Sequence, residues 1–121
     1  VDPRTIDLVR SPHTKAQHHL KLRPGTNVAL INAIAHVIVS EELLDNAFIN
    51  SRCDDLAFTK WFENIQDPRH EPENTTEITG VPAEEIRGAA RLYAEAKNAA
   101  IYYGLGVTEH SQGSSAVMGI A

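Results

Sequence analysis

The sequence contains a single cysteine, Cys53, among its 121 residues. One cysteine cannot form an internal disulfide, and without a Cys-x-x-Cys pair or a Cys/His array the chain encodes no iron–sulfur or structural zinc site. This usage is compatible with a reducing compartment. Because Cys53 falls at what reads as the start of a helix, we expect a structural thiol that is buried or half-buried.

The chain also lacks a long apolar run and an excess of basic charge. A bilayer crossing takes roughly 20 apolar residues, and the longest candidate, residues 28–39, is interrupted by Asn32 and His36. Eleven Lys and Arg stand against sixteen Asp and Glu, for a net charge of −5. Nonspecific binding to nucleic acid or to an anionic membrane is therefore not expected. No signal peptide is visible.

Two well-known nucleotide-binding motifs are incomplete or absent. In the stretch "IYYGLGVTEHSQG", residues 101–113, Gly104 and Gly106 follow an apolar segment. A dinucleotide fingerprint would need a third glycine at the position of Glu109, and a Walker-type loop would need a Gly-Lys-Ser/Thr triplet. From the residues alone, a tight turn and a ligand-binding loop are about equally supported.

What the chain does contain is an alternation of helix and strand patterns, which predicts an α/β fold. We expect a strand end at "VDPR", a short helix over 5–10, a strand over His18–Leu22 and a buried strand of parallel-sheet type at "AAIYYG". Helices are expected over 26–40, twice between 43 and 66, over 80–97 and after the glycine pair. The polar stretch 66–76, with two prolines, reads as a surface connection.

The expected organisation has three parts: strand and turn segments over 1–26, a mainly helical part over 26–98, and a strand, glycine loop and helix start over 99–121. The helix from residue 26 is apolar on two sides and should be largely buried. The aromatic residues between 58 and 62 fall at helical spacing and suggest core or interdomain packing. The chain starts without methionine and stops in an apolar run, so we expect a piece of a larger protein.

Two further sites could bind an anion or serve only the fold. In "RPGTN", Gly25, Thr26 and Asn27 stand at a helix start, where free N–H groups accept anions, although on local grounds capping and turn formation explain the segment adequately. In "DPR", Arg4 could hold a phosphate with its planar guanidinium or pair with a carboxylate. Neither site decides a function by itself.

Four segments taken together resemble successive parts of one family. Residues 1–13, 18–39, 78–97 and 101–121 resemble the large subunit of molybdenum- or tungsten-dependent formate dehydrogenases, within the molybdopterin oxidoreductases. The last segment is most similar to the soluble, NAD-dependent branch. The resemblance covers nearly the whole chain and is weakest over residues 54–74.

The resemblance implies a Rossmann-like α/β region, with a parallel sheet and flanking helices, that embraces two molybdopterin guanine dinucleotides around the metal. Asp2 and Arg4 would lie along the nucleotide or its phosphates. Asn27 would meet the guanine edge, whose acceptor O6 and donor N2 an amide can complement. The resemblance implies further cofactor-binding residues in two segments. They are Gly25 and Thr26 in the turn before the helix, and Gly104, Leu105, Gly106 and Glu109 in the glycine loop.

The resemblance further implies a cytoplasmic enzyme that oxidises formate to CO₂ at molybdenum or tungsten and passes two electrons through iron–sulfur clusters to NAD or another acceptor. Its partners would be the remainder of the large subunit and electron-transfer subunits. The metal-binding cysteine or selenocysteine, the histidine after it and the formate-orienting arginine lie in other parts of that subunit. The chain alone is therefore expected to be inactive, and His110 receives no catalytic role.

Two alternatives stay open at this point. One keeps the fold without the enzyme, as a small α/β nucleotide-binding or regulatory module. The other is a sister molybdopterin oxidoreductase that acts on a different substrate, such as nitrate.

Overall fold

The structure is a computed structural model that describes residues 15–121. In this range the regular structure is helical. The elements are α1 (Asn27–Ser40), α2 (Asn46–Arg52), α3 (Asp55–Ile65), a 3-10 turn (Pro68–His70), α4 (Pro72–Thr79), α5 (Ala83–Ala94), α6 (Leu105–Thr108) and α7 (Gly113–Ile120).

The expected Rossmann-like parallel sheet is wrong, because residues 15–121 contain no strand. Both His18–Leu22 and residues 99–104 are irregular. A helix closes its hydrogen bonds within its own segment, whereas a strand needs a neighbouring strand, so an apolar run does not make a strand by itself. The strand end at "VDPR" and the helix over 5–10 lie outside the described residues.

Helix α1 is the centre of the fold, as its two apolar sides predict. It packs against α5, α4, α7 and α3, and only Ser40 at its end is exposed. Leu30 and Ala33 form the core together with Val81, which lies just before α5, and Ile86, which lies in the first turn of α5. The partly buried side chains that pack against this core are Leu20, Leu22 and Ile34. Burial on several sides explains why α1 carries so few charged residues.

The stretch 66–76 is not the surface connection that its composition suggested. Its two prolines begin helical segments, Pro68 at the 3-10 turn and Pro72 at α4. Proline is favoured at a first helical position because its missing N–H has no helical partner there. Pro72 is buried, as are Thr75 and Thr79 along one side of α4. The stretch therefore contributes to the core.

Ion pairs join the three central helices at one side. Arg91 in α5 donates two hydrogen bonds to Glu41, which follows α1, at 2.7 and 2.8 Å. Arg87 in α5 donates to both carboxylate oxygens of Glu73 in α4 at 2.7 Å. The hydrogen bond from Arg91 lowers the pKa of Glu41, and that from Arg87 lowers the pKa of Glu73.

Helix α1 is also tied to α3 through its histidine. The ring nitrogen Nδ1 of His36 donates to the main-chain oxygen of Ile65 at 2.7 Å, and Ile65 itself is buried. Phe58 and Trp61 on α3 instead border an open apolar groove beside α7. Cys53, which ends α2, is exposed, so the expected buried or half-buried thiol is wrong.

Candidate functional site

The first part of the site is the segment Arg23–Asn27, called here the RPGTN turn. Gly25 has a φ of 84°, a left-handed conformation that glycine adopts without strain. Thr26 precedes the first residue of α1, as the sequence predicts, but its side chain does not cap the helix. Its Oγ1 donates instead to the main-chain oxygen of Arg23 at 2.7 Å. Among the described residues, the side chain of Thr26 therefore leaves the N terminus of α1 without a cap, and the first N–H groups of a helix can bind an anion.

The second part is the segment 104–112, called here the glycine loop. Gly104 is extended, α6 follows over four residues, and Glu109 ends that helix. His110 folds back over α6, with Nε2 donating to the main-chain oxygen of Gly106 at 2.7 Å. Gly113, the first residue of α7, donates its N–H to the main-chain oxygen of His110 at 2.9 Å. The loop is thus closed by its own hydrogen bonds.

The RPGTN turn and the glycine loop, 77 residues apart between Asn27 and Gly104, meet in one cleft of about 210 Å³. Its polar groups come from an amide, an imidazole, a hydroxyl and a second amide. The lining residues are Gly25, Asn27, Val28, His110, Ser111, Gln112 and Ala116. Sites for whole drug-sized ligands occupy roughly 300–1,000 Å³, so this cleft has room for one part of a nucleotide.

The glycines of the loop differ in what surrounds them. At Gly113 an added Cβ would collide with the main-chain oxygen of Thr108, so packing inside the chain explains that glycine. At Gly104 and Gly106 an added Cβ would meet nothing within 4 Å. Neither of these two has a positive φ. Among the described residues, no contact and no backbone angle requires them to be glycine.

This chain matches the family model described as molybdopterin oxidoreductase over residues 1–121. It belongs to the molybdopterin oxidoreductase family. Membership implies a molybdopterin cofactor that carries molybdenum or tungsten. The donor set of the cleft fits part of such a cofactor, since uncapped helix N–H groups suit an anion and Asn27 offers both donor and acceptor.

Relatives within the molybdopterin oxidoreductases include several formate dehydrogenases. The chain is 45% identical to formate dehydrogenase H of Escherichia coli over 116 residues, which are 96% of this chain and 15% of that protein. It is 41% identical to the F420-dependent formate dehydrogenase 2 subunit alpha of Methanococcus maripaludis over 115 residues, 93% of this chain and 16% of that subunit. These identities confirm the resemblance to formate dehydrogenases.

A solved structure shares the fold of this chain as well. Acetylene hydratase from Pelobacter acetylenicus superposes with a TM-score of 0.81 at 31% identity, covering 91% of this chain and 15% of that one. The chain thus spans about 15% of the length of the relatives it matches. No helix among residues 15–121 is long and apolar enough to cross a membrane.

Only some of the residues expected to bind the cofactor line the cleft. Gly25 and Asn27 line it, and Thr26 lies between them. The four expected loop residues are exposed and lie outside the lining: Gly104, Leu105, Gly106 and Glu109. Asp2 and Arg4 lie outside the described residues. Their roles stay predictions.

Three polar lining residues were not predicted from the sequence. His110 received no catalytic role there, and Ser111 and Gln112 were taken only as the beginning of the next helix. The cleft is formed in part by all three. The polar run between Gly106 and Gly113 is the pattern that could have indicated them. A polar run between glycines is typical of a tight loop, and the side chains of such a loop can line a neighbouring cleft.

A second cleft lies on the other side of the first turn of α1. It measures about 520 Å³, and Asn32, Asn64, Arg69 and His70 are among its lining residues. Arg69 donates from Nε to Nε2 of His70 at 3.2 Å. Burial lowers the pKa of His70, and the charge of Arg69 lowers it further. No group of three or more metal-ligating side chains occurs in residues 15–121.

Proposed function

We propose that this chain is a cofactor-binding part of a formate dehydrogenase catalytic subunit. The observation that carries the proposal is the cleft in which the RPGTN turn and the glycine loop meet. Segments far apart in sequence bring Asn27 and three polar loop residues to one volume, which lies beside a helix start that the side chain of Thr26 does not cap. Such convergence of polar groups is typical of a ligand site.

The guanine dinucleotide form of the cofactor fits this arrangement. An amide side chain can donate to guanine O6 and accept from N2, so Asn27 would meet the base. Gly25 and Thr26 allow close approach of the main chain. Open space beside Gly104 and Gly106 lets the loop approach the same dinucleotide, with Leu105 and Glu109 at its outer side. Asp2 and Arg4 complete the proposed contacts.

Formate is the substrate we propose for the complete enzyme, because the formate dehydrogenase relatives are 36–45% identical. A dimethyl sulfoxide reductase and two nitrate reductases are 28–30% identical, and acetylene hydratase is 31% identical. The difference favours formate over the nitrate alternative, and the family match disfavours a non-enzymatic nucleotide-binding module.

In the proposed enzyme, the molybdenum or tungsten centre supplies the two-electron oxidation of formate to CO₂. Iron–sulfur clusters outside this chain would carry the electrons to NAD or another acceptor, and the enzyme would work in the cytoplasm. The residues of this chain bind and orient the cofactor and exclude water from it. We propose that the chain by itself, without the remainder of the subunit, does not turn over formate.

Substitution of Asn27 by leucine tests the proposal. In the complete subunit, Asn27→Leu should reduce bound pterin and guanine nucleotide by about tenfold, because the base loses its paired amide. The unfolding midpoint of the cofactor-free subunit should change much less. The measurements are pterin fluorescence per subunit after oxidative release, nucleotide content and thermal unfolding.

Asn46→Leu is the matched control, since Asn46 begins α2 away from the cleft. It should leave the cofactor content unchanged. Equal losses of cofactor and of stability in Asn27→Leu would reduce Asn27 to a helix-start residue. A subunit that contains molybdenum or tungsten but does not reduce a dye with formate would contradict formate as the substrate. The proposed cofactor binding would still stand.

A further inference from the structure

The RPGTN turn is fastened to the C terminus of α4 through Arg23. The main-chain N–H of Arg23 donates to the oxygen of Thr79 at 2.8 Å. Its Nη1 donates to the oxygen of Glu77 at 2.6 Å. The last carbonyl groups of a helix lack partners within the helix and carry its partial negative charge, so a guanidinium is well suited to them.

The same residue closes the turn on its other side. The main-chain oxygen of Arg23 accepts from Oγ1 of Thr26 at 2.7 Å and from the Thr26 N–H at 3.3 Å. Between them, Gly25 adopts its left-handed conformation. Arg23 therefore links the end of α4 to the beginning of α1, and Gly25 and Asn27 enter the cleft from this fixed turn.

The space for the Arg23 side chain depends on a second glycine. Gly80 ends α4 with a φ of 75°. An added Cβ at Gly80 would lie 3.2 Å from Nε of Arg23 and 3.5 Å from its Cγ. A side chain at position 80 would thus shift the Arg23 side chain by a few tenths of an ångström and strain the left-handed backbone of residue 80, while the charge and the donors of the guanidinium stay in place.

We propose that Arg23 is a positioning residue for the cofactor, acting through Gly25 and Asn27. Arg23 does not line the cleft, and its guanidinium donates to main-chain oxygens at the end of α4, so we assign it a positioning role and not a binding role. It holds the turn at the distance and angle at which Asn27 reaches the base and the first N–H groups of α1 reach an anion. This inference rests on the proposed function, because it concerns the same site.

The test compares Arg23→Gln with Arg87→Gln in the complete subunit. Arg87 is the matched control, since it also joins α4 to a neighbouring element, through Glu73, but lies outside the cleft lining. Cofactor retention is measured as pterin and guanine nucleotide per subunit after dialysis, and stability as the thermal unfolding midpoint of the cofactor-free subunit.

Arg23→Gln should lower retention about tenfold, since hydrogen bonds from a charged donor are stronger than neutral ones. Arg87→Gln should leave cofactor retention within about twofold of wild type. Its unfolding midpoint should fall by about as much as that of Arg23→Gln. Arg23→Lys should recover part of the loss, because an ammonium group still donates to one of the α4 carbonyls. Gly80→Ala should lower retention although Arg23 is present.

Each contrary result has a distinct meaning. If Arg23→Gln and Arg87→Gln lose cofactor in proportion to their loss of midpoint, the role of Arg23 is structural and the inference is overturned. If Arg23→Gln fails to fold, normal retention in both Arg23→Lys and Gly80→Ala overturns it. A wild-type subunit that contains no pterin overturns the proposed function itself, whereas wild-type cofactor with unchanged variants overturns only the positioning role.

Discussion

Two regions of the chain are organised in opposite ways. The hub, formed by α1, α4 and α5, contains most of the buried apolar side chains, and ion pairs join its helices. The region 99–112 leaves Tyr102 95% and Leu105 69% exposed, and its short helix α6 packs mainly on the following α7. The hub is held together by its own buried contacts, whereas the second region presents its surface outward. The difference teaches that the residues that build the core are largely separate from those of the exposed loop, which is one of the two segments of the proposed cofactor site.

The largest effect should come from the centre of the hub. Ile86 is completely buried, so Ile86→Ala should lower the free energy of unfolding by about 2–5 kcal/mol. Leu105→Ala, in the exposed region, should change it by less than about 0.5 kcal/mol. Urea unfolding followed by circular dichroism measures both. Similar losses in the two variants would break the distinction between the regions.

The next effect separates the glycines of the second region. Gly113→Ala should cost about 1–3 kcal/mol, because the methyl group meets the main-chain oxygen of Thr108. Gly106→Ala should leave stability within about 0.5 kcal/mol, since its added Cβ enters open space.

Gly106→Ala, which should hardly change the stability, should change the cofactor content. Gly106→Ala should reduce pterin per subunit with no loss of unfolding midpoint, because the methyl group fills the space through which the dinucleotide approaches. Unchanged pterin in Gly106→Ala would mean that the open side of the loop faces solvent or protein, not the cofactor.

The smallest effect concerns the surface ion pairs of the hub. Because the folded state lowers the pKa of Glu41, the pair with Arg91 stabilises the fold above the ordinary carboxyl pKa of 4.5 and loses that contribution as pH falls through the lowered value. Arg91→Gln should therefore be slightly less stable than wild type at pH 7 and nearly equal to it in strong acid.

Thermal unfolding of wild type and Arg91→Gln across this pH range measures the difference. Arg87 still lies 4.0 Å from Glu41, so part of the pH dependence should persist in the variant. A difference that grew as the pH fell would contradict the assignment of the pair.

The helices were readable from the sequence where local signals decide them. Apolar periodicity and the RPGTN turn predicted α1 to within one residue, and the helix expected over 80–97 is α5, which runs over Ala83–Ala94. The absence of a sheet from residues 15–121 could not be read from the sequence, because strands depend on partner strands that a local pattern does not specify. Helix α4 was missed because its polar composition hides Pro72, Thr75 and Thr79, which are buried by neighbours distant in sequence.

The candidate site was partly readable. The turn and the loop were each visible as segments, but their meeting depends on how α7 packs against α1, which no local pattern contains. For the same reason His110 looked dispensable until its ring was placed over Gly106 and beside the cleft. The cofactor roles of Gly104, Leu105, Gly106 and Glu109 stay predictions.

Hydrogen exchange of the complete subunit, with and without its cofactor, tests the central claim most directly. The account predicts that loading the cofactor slows exchange in both the RPGTN turn and the glycine loop, because one ligand covers both. Residues 46–62 of α2 and α3, away from the cleft, should exchange equally in the two states. Protection in only one of the two segments, or in neither, would contradict a shared cofactor site.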